Sequence, residues 1–219
     1  MRLAVLLLVA TAGVARADAL DDIAKAVPAC DAARTYCFEI ALHVGHDENG
    51  PLADAAWIAQ QIATVNKHFA ALDVAFQIAR VDSLELTSTH IATRAERDAV
   101  GRKLSAGMID VFLVGQLDDI DNAGDLLNGV TWHRKDDARK YVILSNTAWE
   151  RTLAHELGHV FGLPHSDYPI SIMNKTKRDE PPVEQRTFAD EEIVAMKRGL
   201  ARLVKSKQLV KRRPSIPSE

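Results

Sequence analysis

The sequence predicts an α+β fold built on a mostly parallel sheet, and three observations predict it. Alternating runs at residues 35–44 and 74–78 flank a stretch, 51–71, whose apolar residues recur every three or four positions. A strand, a helix and a strand in that order pair in parallel through a crossover. Residues 108–115 are an almost unbroken apolar run, as expected of a strand covered on both faces. The 219 residues, 47% hydrophobic, suffice for one domain with a sizeable core.

Taken in order, Met1-Arg2, the apolar stretch from Leu3 to Val14 and Ala15-Arg16-Ala17 read as a secretory signal over residues 1–17, so the mature protein is expected to be secreted or periplasmic. That apolar run is shorter than the ~20 residues a membrane span needs, and no span is expected elsewhere. Residues 18–34 form a short leader. Cys30 and Cys37 are the two cysteines, and in an exported chain they are expected to bridge, pinning the leader to the first strand. That strand alternates through Phe38, Ile40, Leu42 and Val44. His43 and His46 read as ordinary surface or strand-end histidines.

Asn49-Gly50-Pro51 breaks the chain, and Pro51 suits the first turn of a helix over 51–71. Ile58, Ile62, Val65, Phe69 and Leu72 form its core stripe. Val74, Phe76 and Ile78 mark the second strand, 94–104 a short helix, and 108–115 the central strand. The loop 116–129 carries Asp118, Asp119, Asp121, Asn122 and Asp125, hard oxygen ligands that suit either a calcium ion or, as is more frequent, a solvated acidic loop. Residues 128–132 and 140–145 complete five strands, joined by the charged loop 133–139. Thr147-Ala148-Trp149-Glu150 has the pattern of a capping box, which predicts a helix from there to about Phe161. Pro181-Pro182 marks an irregular loop. Thr187 to Asp190 is expected to cap a last helix, whose stripe is Ile193, Met196, Leu200 and Leu203. Residues 205–219, rich in Lys and Arg, read as a flexible basic tail. The net charge of -3 argues against nucleic acid as a partner, and a monomer is expected.

Chemistry concentrates in His155-Glu156-Leu157-Gly158-His159-Val160-Phe161-Gly162-Leu163-Pro164-His165. Helix residues four apart share a face, so His155 and His159 can meet one metal ion while Glu156 beside them stays free to act as a base. Gly162 suits the left-handed helix end, and Pro164 cannot continue the helix, so the chain can bring His165 back as third ligand. Three protein ligands and an open position are the catalytic zinc pattern; a structural site has four. A competing role for Cys30, as a thiolate reaching that ion, is the alternative to the bridge.

The run fits HExxHxxGxxH and Met173 follows eight residues after His165, so the stretch resembles the metzincins, whose turn methionine lies beneath the metal. Gly158, Leu163 and Ser166 make it most similar to the matrixin branch. The resemblance implies a metzincin-like twisted five-stranded sheet with an antiparallel edge strand, two long helices and a small C-terminal lobe with one helix. The catalytic domain would span 35–204, with an upper lobe at 35–162 and a lower lobe at 163–204. It also implies a zinc-dependent endopeptidase acting on protein or peptide substrates, with Glu156 as general base and acid. The edge strand would receive an extended substrate at Gly129, Val130, Thr131 and Trp132, and the segment from Ser166 to about Thr176 would line the pocket after the cleaved bond. Histidines for the matrixins' second zinc are missing, Asn174 and Lys175 follow Met173 where two other branches place a tyrosine, and no long propeptide fits the leader. The alternative function is a catalytically silent zinc-binding module that recognises a partner protein through the same cleft.

Overall fold

The computed structural model describes residues 19–84 and 89–212. The expected signal segment and the last seven residues lie outside them. In chain order the elements are α1 over 19–26, β1 Tyr36–Val44, β2 His46–Asp47, β3 Gly50–Pro51, α2 Ala55–Phe69, β4 Val74–Ser83, β5 His90–Ile91, α3 Arg94–Val100, β6 Ile109–Val114, β7 Gln116–Leu117, β8 Gly129–His133, β9 Lys140–Ser145, α4 Thr152–Val160 and α5 Asp190–Lys205. Five strands make the main sheet in the order β4-β1-β6-β9-β8. β1 is parallel to β4 and β6, and β6 to β9, whereas β8 runs antiparallel to β9 at the edge.

Strand alternation divides the core. Phe38, Ile40, Leu42, Val111, Leu113, Val142 and Leu144 pack with α2 and α4 on one face, and Phe112, Val114, Tyr141 and Ile143 pack with Val100 of α3 on the other. All six residues of β6 are buried, as expected of the middle strand. Phe69, at the end of α2, meets Phe76, Phe161 and Phe188 edge-on with centroids 5.1, 5.1 and 5.4 Å away. Edge-to-face pairs contribute about 0.5–1.5 kcal/mol each beyond area burial, and this cluster joins α2, β4, the end of α4 and the approach to α5. α5 crosses close behind α4: a Cβ at Gly199 would stand 1.7 Å from the carbonyl oxygen of Phe161.

The structure departs from the sequence expectations at several points, each with a physical cause. Gly50-Pro51 does not open α2; it pairs with His46-Asp47 as a small hairpin, and Asp54 caps the helix by accepting from the Trp57 amide at 2.8 Å. α4 starts at Thr152, without the expected capping box, because the Thr147 hydroxyl is turned to that of Ser145 at 2.9 Å. Its first turn is instead held from α2. The Gln61 side chain donates to the Trp149 carbonyl at 2.9 Å, and its Oε1 accepts from the Leu153 amide at 3.4 Å. At α5 the cap acceptor is Glu192, which takes the Ala189 amide at 2.8 Å, while the Thr187 hydroxyl contacts His68 at 3.3 Å.

His43 lies near the end of β1 but is buried, not at the surface: it bonds Asp110 at 2.9 Å and stacks on Phe112. The leader also belongs to the packed body. Ile23 of α1 and Val27 are buried in the main core, and Cys30 is disulfide-bonded to Cys37, which removes it as a thiolate. Nor is the start of the expected tail free. Leu209 is buried, Arg212 pairs antiparallel with Cys37, and its guanidinium meets Glu39 at 2.7 Å, so residues 209–212 cover the start of β1.

Candidate metal centre

α4 carries His155 and His159 one turn apart, with Leu153, Leu157 and Val160 holding its buried side against the sheet. The helix stops where the motif requires. Gly162 adopts φ 100°, its amide donates to the His159 carbonyl at 3.1 Å, and the Leu163 amide donates to the Gly158 carbonyl at 3.0 Å. That pair of bonds is the Schellman ending, and it satisfies carbonyls that a helix end would otherwise leave orphaned. The chain then reverses and brings His165 to the two helix histidines. Among the described residues these three form the one group of three or more His, Cys, Asp or Glu side chains able to share a metal, their ligand atoms within 4.8 Å of one another.

The orientation of the rings suits zinc. His155 Nδ1 lies 2.7 Å from the Ile172 carbonyl, and His159 Nδ1 lies 2.7 Å from the Leu163 carbonyl. A carbonyl only accepts, so each Nδ1 carries the proton and each Nε2 keeps its lone pair for a metal. The Nε2 atoms of His159 and His165 stand 3.2 Å apart. Two nitrogens about 2.1 Å from one tetrahedral zinc are roughly 3.4 Å apart, so the pair has the spacing of two ligands to one ion. Burial lowers the pKa of His159 to about 4, with a smaller opposing effect from its bond to Leu163, and burial likewise lowers His165 to about 4. Both rings are therefore neutral at pH 7, the form a metal needs.

Glu156 faces the same space from the other side of His155. It is buried, and burial raises its pKa, opposed by the nearby His155, by hydrogen bonds from Thr131 and by the charge of Lys175. The Thr131 hydroxyl lies 2.8 Å from Glu156 Oε2 and 2.7 Å from its carbonyl oxygen. Gly129 is equally close, since a Cβ there would stand 2.8 Å from Thr152 Cγ2 and 3.2 Å from Glu156 Cγ. Gly129 and Thr131 of β8 thus face α4. Val130 and Trp132 face the opposite cluster, with the Trp132 indole donating to Asp98 at 2.8 Å and two guanidinium groups, of Arg94 and Arg97, each 5.0 Å from its ring centre. All four predicted rim residues line the cleft beside the histidines, together with Asp119 and Asp121 of the acidic loop. Within that loop Asp118 bonds His90 at 2.7 Å, and Asp119 accepts from the Asp121 amide and the Asn122 side chain.

Met173 is fully buried beneath α4. A Cβ at Gly158 would stand 2.6 Å from its sulfur, so glycine at that helix position is what lets the methionine lie there. The turn is organised by a residue that motif reading missed. Glu192, buried at the start of α5, accepts from Ser166 at 2.6 Å and from Ser171 at 2.7 Å, and the Ser171 hydroxyl in turn accepts from the Met173 amide at 2.8 Å. Its available signal was an acid three residues into a helix, which local reading assigns only to capping.

Comparison with known proteins agrees with this geometry. Residues 54–197 match the model of the matrixin family. No curated protein sequence matches the chain significantly. Among solved structures, metalloproteinase-II from Bacteroides fragilis is similar with a TM-score of 0.54 at 17% identity over 81% of this chain, which spans 60% of the length of that one. Archaemetzincin from Methanopyrus kandleri gives a TM-score of 0.52 at 15% identity, over 77% of this chain and 98% of that one. At these identities the two structures bear on the fold.

Proposed function

The chain belongs to the matrixin family of zinc metallopeptidases, and on that premise we propose that it is an exported endopeptidase in which His155, His159 and His165 hold a catalytic zinc and Glu156 moves the proton. The observation that carries this reading is the convergence of the imidazole nitrogens, two of them freed by Nδ1 bonds to backbone carbonyls, next to a buried carboxylate. Zinc, when bound, supplies an acidified water and a Lewis acid for the scissile carbonyl.

Glu156 accepts the proton of the attacking water and returns it to the leaving amine. Burial raises its pKa, which favours taking up a proton, as a general base must. Thr131 fixes one carboxylate oxygen and leaves the other for the water. β8 has one side paired with β9 and ends the sheet, so an extended peptide can add along its outer edge through main-chain hydrogen bonds, with Gly129 to Trp132 as the receiving segment. Export is supported by the composition of residues 1–17 and by the Cys30–Cys37 bridge, which persists in an oxidising compartment. No helix among the described residues is long and apolar enough to cross a membrane.

The decisive variant is Glu156→Ala. It should keep one zinc per chain and lose hydrolysis of a peptide library, whereas undiminished, chelator-sensitive hydrolysis would refute the role given to Glu156. A zinc-loaded wild-type protein that cleaves nothing in the library would point instead to the silent recognition module.

A further inference from the structure

Two cavities flank the histidines, and they differ in charge. The one beside the acidic loop mixes Asp119 and Asp121 with Arg97 and Lys140. The other, about 570 Å³, lies between the start of α4 and the segment after Met173, and five cations line it: Arg151, Lys175, Lys177, Arg178 and Arg186. Glu156, already assigned to the proton transfer, is the one carboxylate in its lining. This concentration occurs on a chain whose net charge is -3.

Little of that charge is compensated. Among the described residues Arg151 has a carboxylate partner, Glu150, at 3.9 Å, and no ion pair involves the other four. Arg178 is held by neutral acceptors, the carbonyls of Pro169, Ser171, Asn174 and Thr176. Arg186 is likewise bound to the carbonyls of Pro181 and Arg178. Carbonyls order a guanidinium without cancelling its charge, so these two shape the loop and still leave a positive wall. Burial and the neighbouring Arg186 charge both lower the pKa of Arg178, the sign of like charges held close together. Lys175 and Lys177 are exposed and do no comparable structural work. Lys175 lines both cavities, and its charge acts on Glu156 and His165, which places it at the junction of the pocket with the reacting centre.

The family resemblance assigns a pocket walled by this segment to the side chain following the cleaved bond, and we infer that here it selects acidic residues, with Lys175 and Lys177 as the specificity-determining pair. The inference rests on the endopeptidase reading above and names its substrate class: peptides with Asp or Glu on the leaving side. A carboxylate entering the pocket meets several uncancelled positive charges at its walls, whereas a lysine is repelled by them. A cleft lined by charge of one sign changes capture rates by about tenfold or more, and the effect weakens with salt.

The test uses peptides identical except for Glu, Leu or Lys after the cleaved bond, in two measurements. In hydrolysis by the zinc-loaded protein, kcat/KM should follow Glu, then Leu, then Lys, spanning at least about tenfold at low salt and narrowing at high salt. In binding of the labelled peptides to zinc-loaded Glu156→Gln, Kd should follow the same order without any chemistry. Lys177→Glu and Lys175→Gln should each lower the Glu-to-Leu ratio, and the two together should reverse it. Hydrolysis that favours Leu, or a ratio unmoved by both substitutions, overturns the acidic pocket and leaves the endopeptidase standing. Binding in the expected order without wild-type hydrolysis overturns the endopeptidase and leaves the pocket standing.

Discussion

Gly158 sits within the metal-binding helix, where glycine is ordinarily unfavourable by about 1 kcal/mol relative to alanine. Here the sign reverses, because a Cβ would press on Met173 and on the Phe188 ring at 2.6 and 3.1 Å. Gly158→Ala should therefore lower the unfolding midpoint despite its better helix propensity and should weaken zinc binding, as read by chelator competition. A midpoint that rises would show the space is not needed. Glu192 makes a second case at this scale. Its carboxylate accepts from Ser166, Ser171 and the Ala189 amide in a buried setting, and stranding those donors costs about 1–3 kcal/mol. Glu192→Leu should lose that much stability in urea titrations and loosen the segment joining His165 to Met173, giving faster amide exchange there than in α2.

At the scale of elements, α4 shows where local pattern reading stops. Its apolar spacing, its two histidines and its glycine ending were all legible, because each depends on neighbours within a turn or two. Its start was not. Thr147 and Glu150 have the spacing of a capping box, yet the first turn is held by Gln61, 92 residues upstream of Leu153, and no window along the chain contains both. Gln61→Ala should cost about 1 kcal/mol and fray the start of α4, seen as lost amide protection at Leu153 with the helix end at Gly162 unaffected. Equal protection at Leu153 would mean the turn holds without that cap. The same distinction explains His43, whose alternation on β1 was plain but whose partner Asp110 comes from a different strand. It explains Lys211 and Arg212 as well: composition marks them as tail, and only the packed fold brings them to Tyr36 and Glu39.

Across the whole molecule, the parallel strands were legible from alternation and unbroken apolarity, whereas the antiparallel edge was reached only through the resemblance that the histidine motif carries. Charge distribution was not legible, since the five cations of the second cavity come from the residue that precedes α4, from the segment after Met173 and from the approach to α5. Acid sensitivity also belongs to this scale. His68, on the last turn of α2 against the loop before α5, has its pKa lowered to about 4, by burial first and then by the charges of Lys67 and Arg151. The unfolded chain takes up a proton near pH 6.5, so stability is full above that pH and falls as pH drops from about 6.5 towards 4. The urea midpoint should decline through that window, and His68→Gln should decline less. Parallel declines would assign the acid sensitivity elsewhere.

Cys37 ties together two segments far apart in sequence: its sulfur binds Cys30 and its carbonyl accepts the Arg212 amide at 2.9 Å. Bridge and hydrogen bond thus close one long loop of chain between residues 30 and 212, its two mouths seated together at the outset of β1.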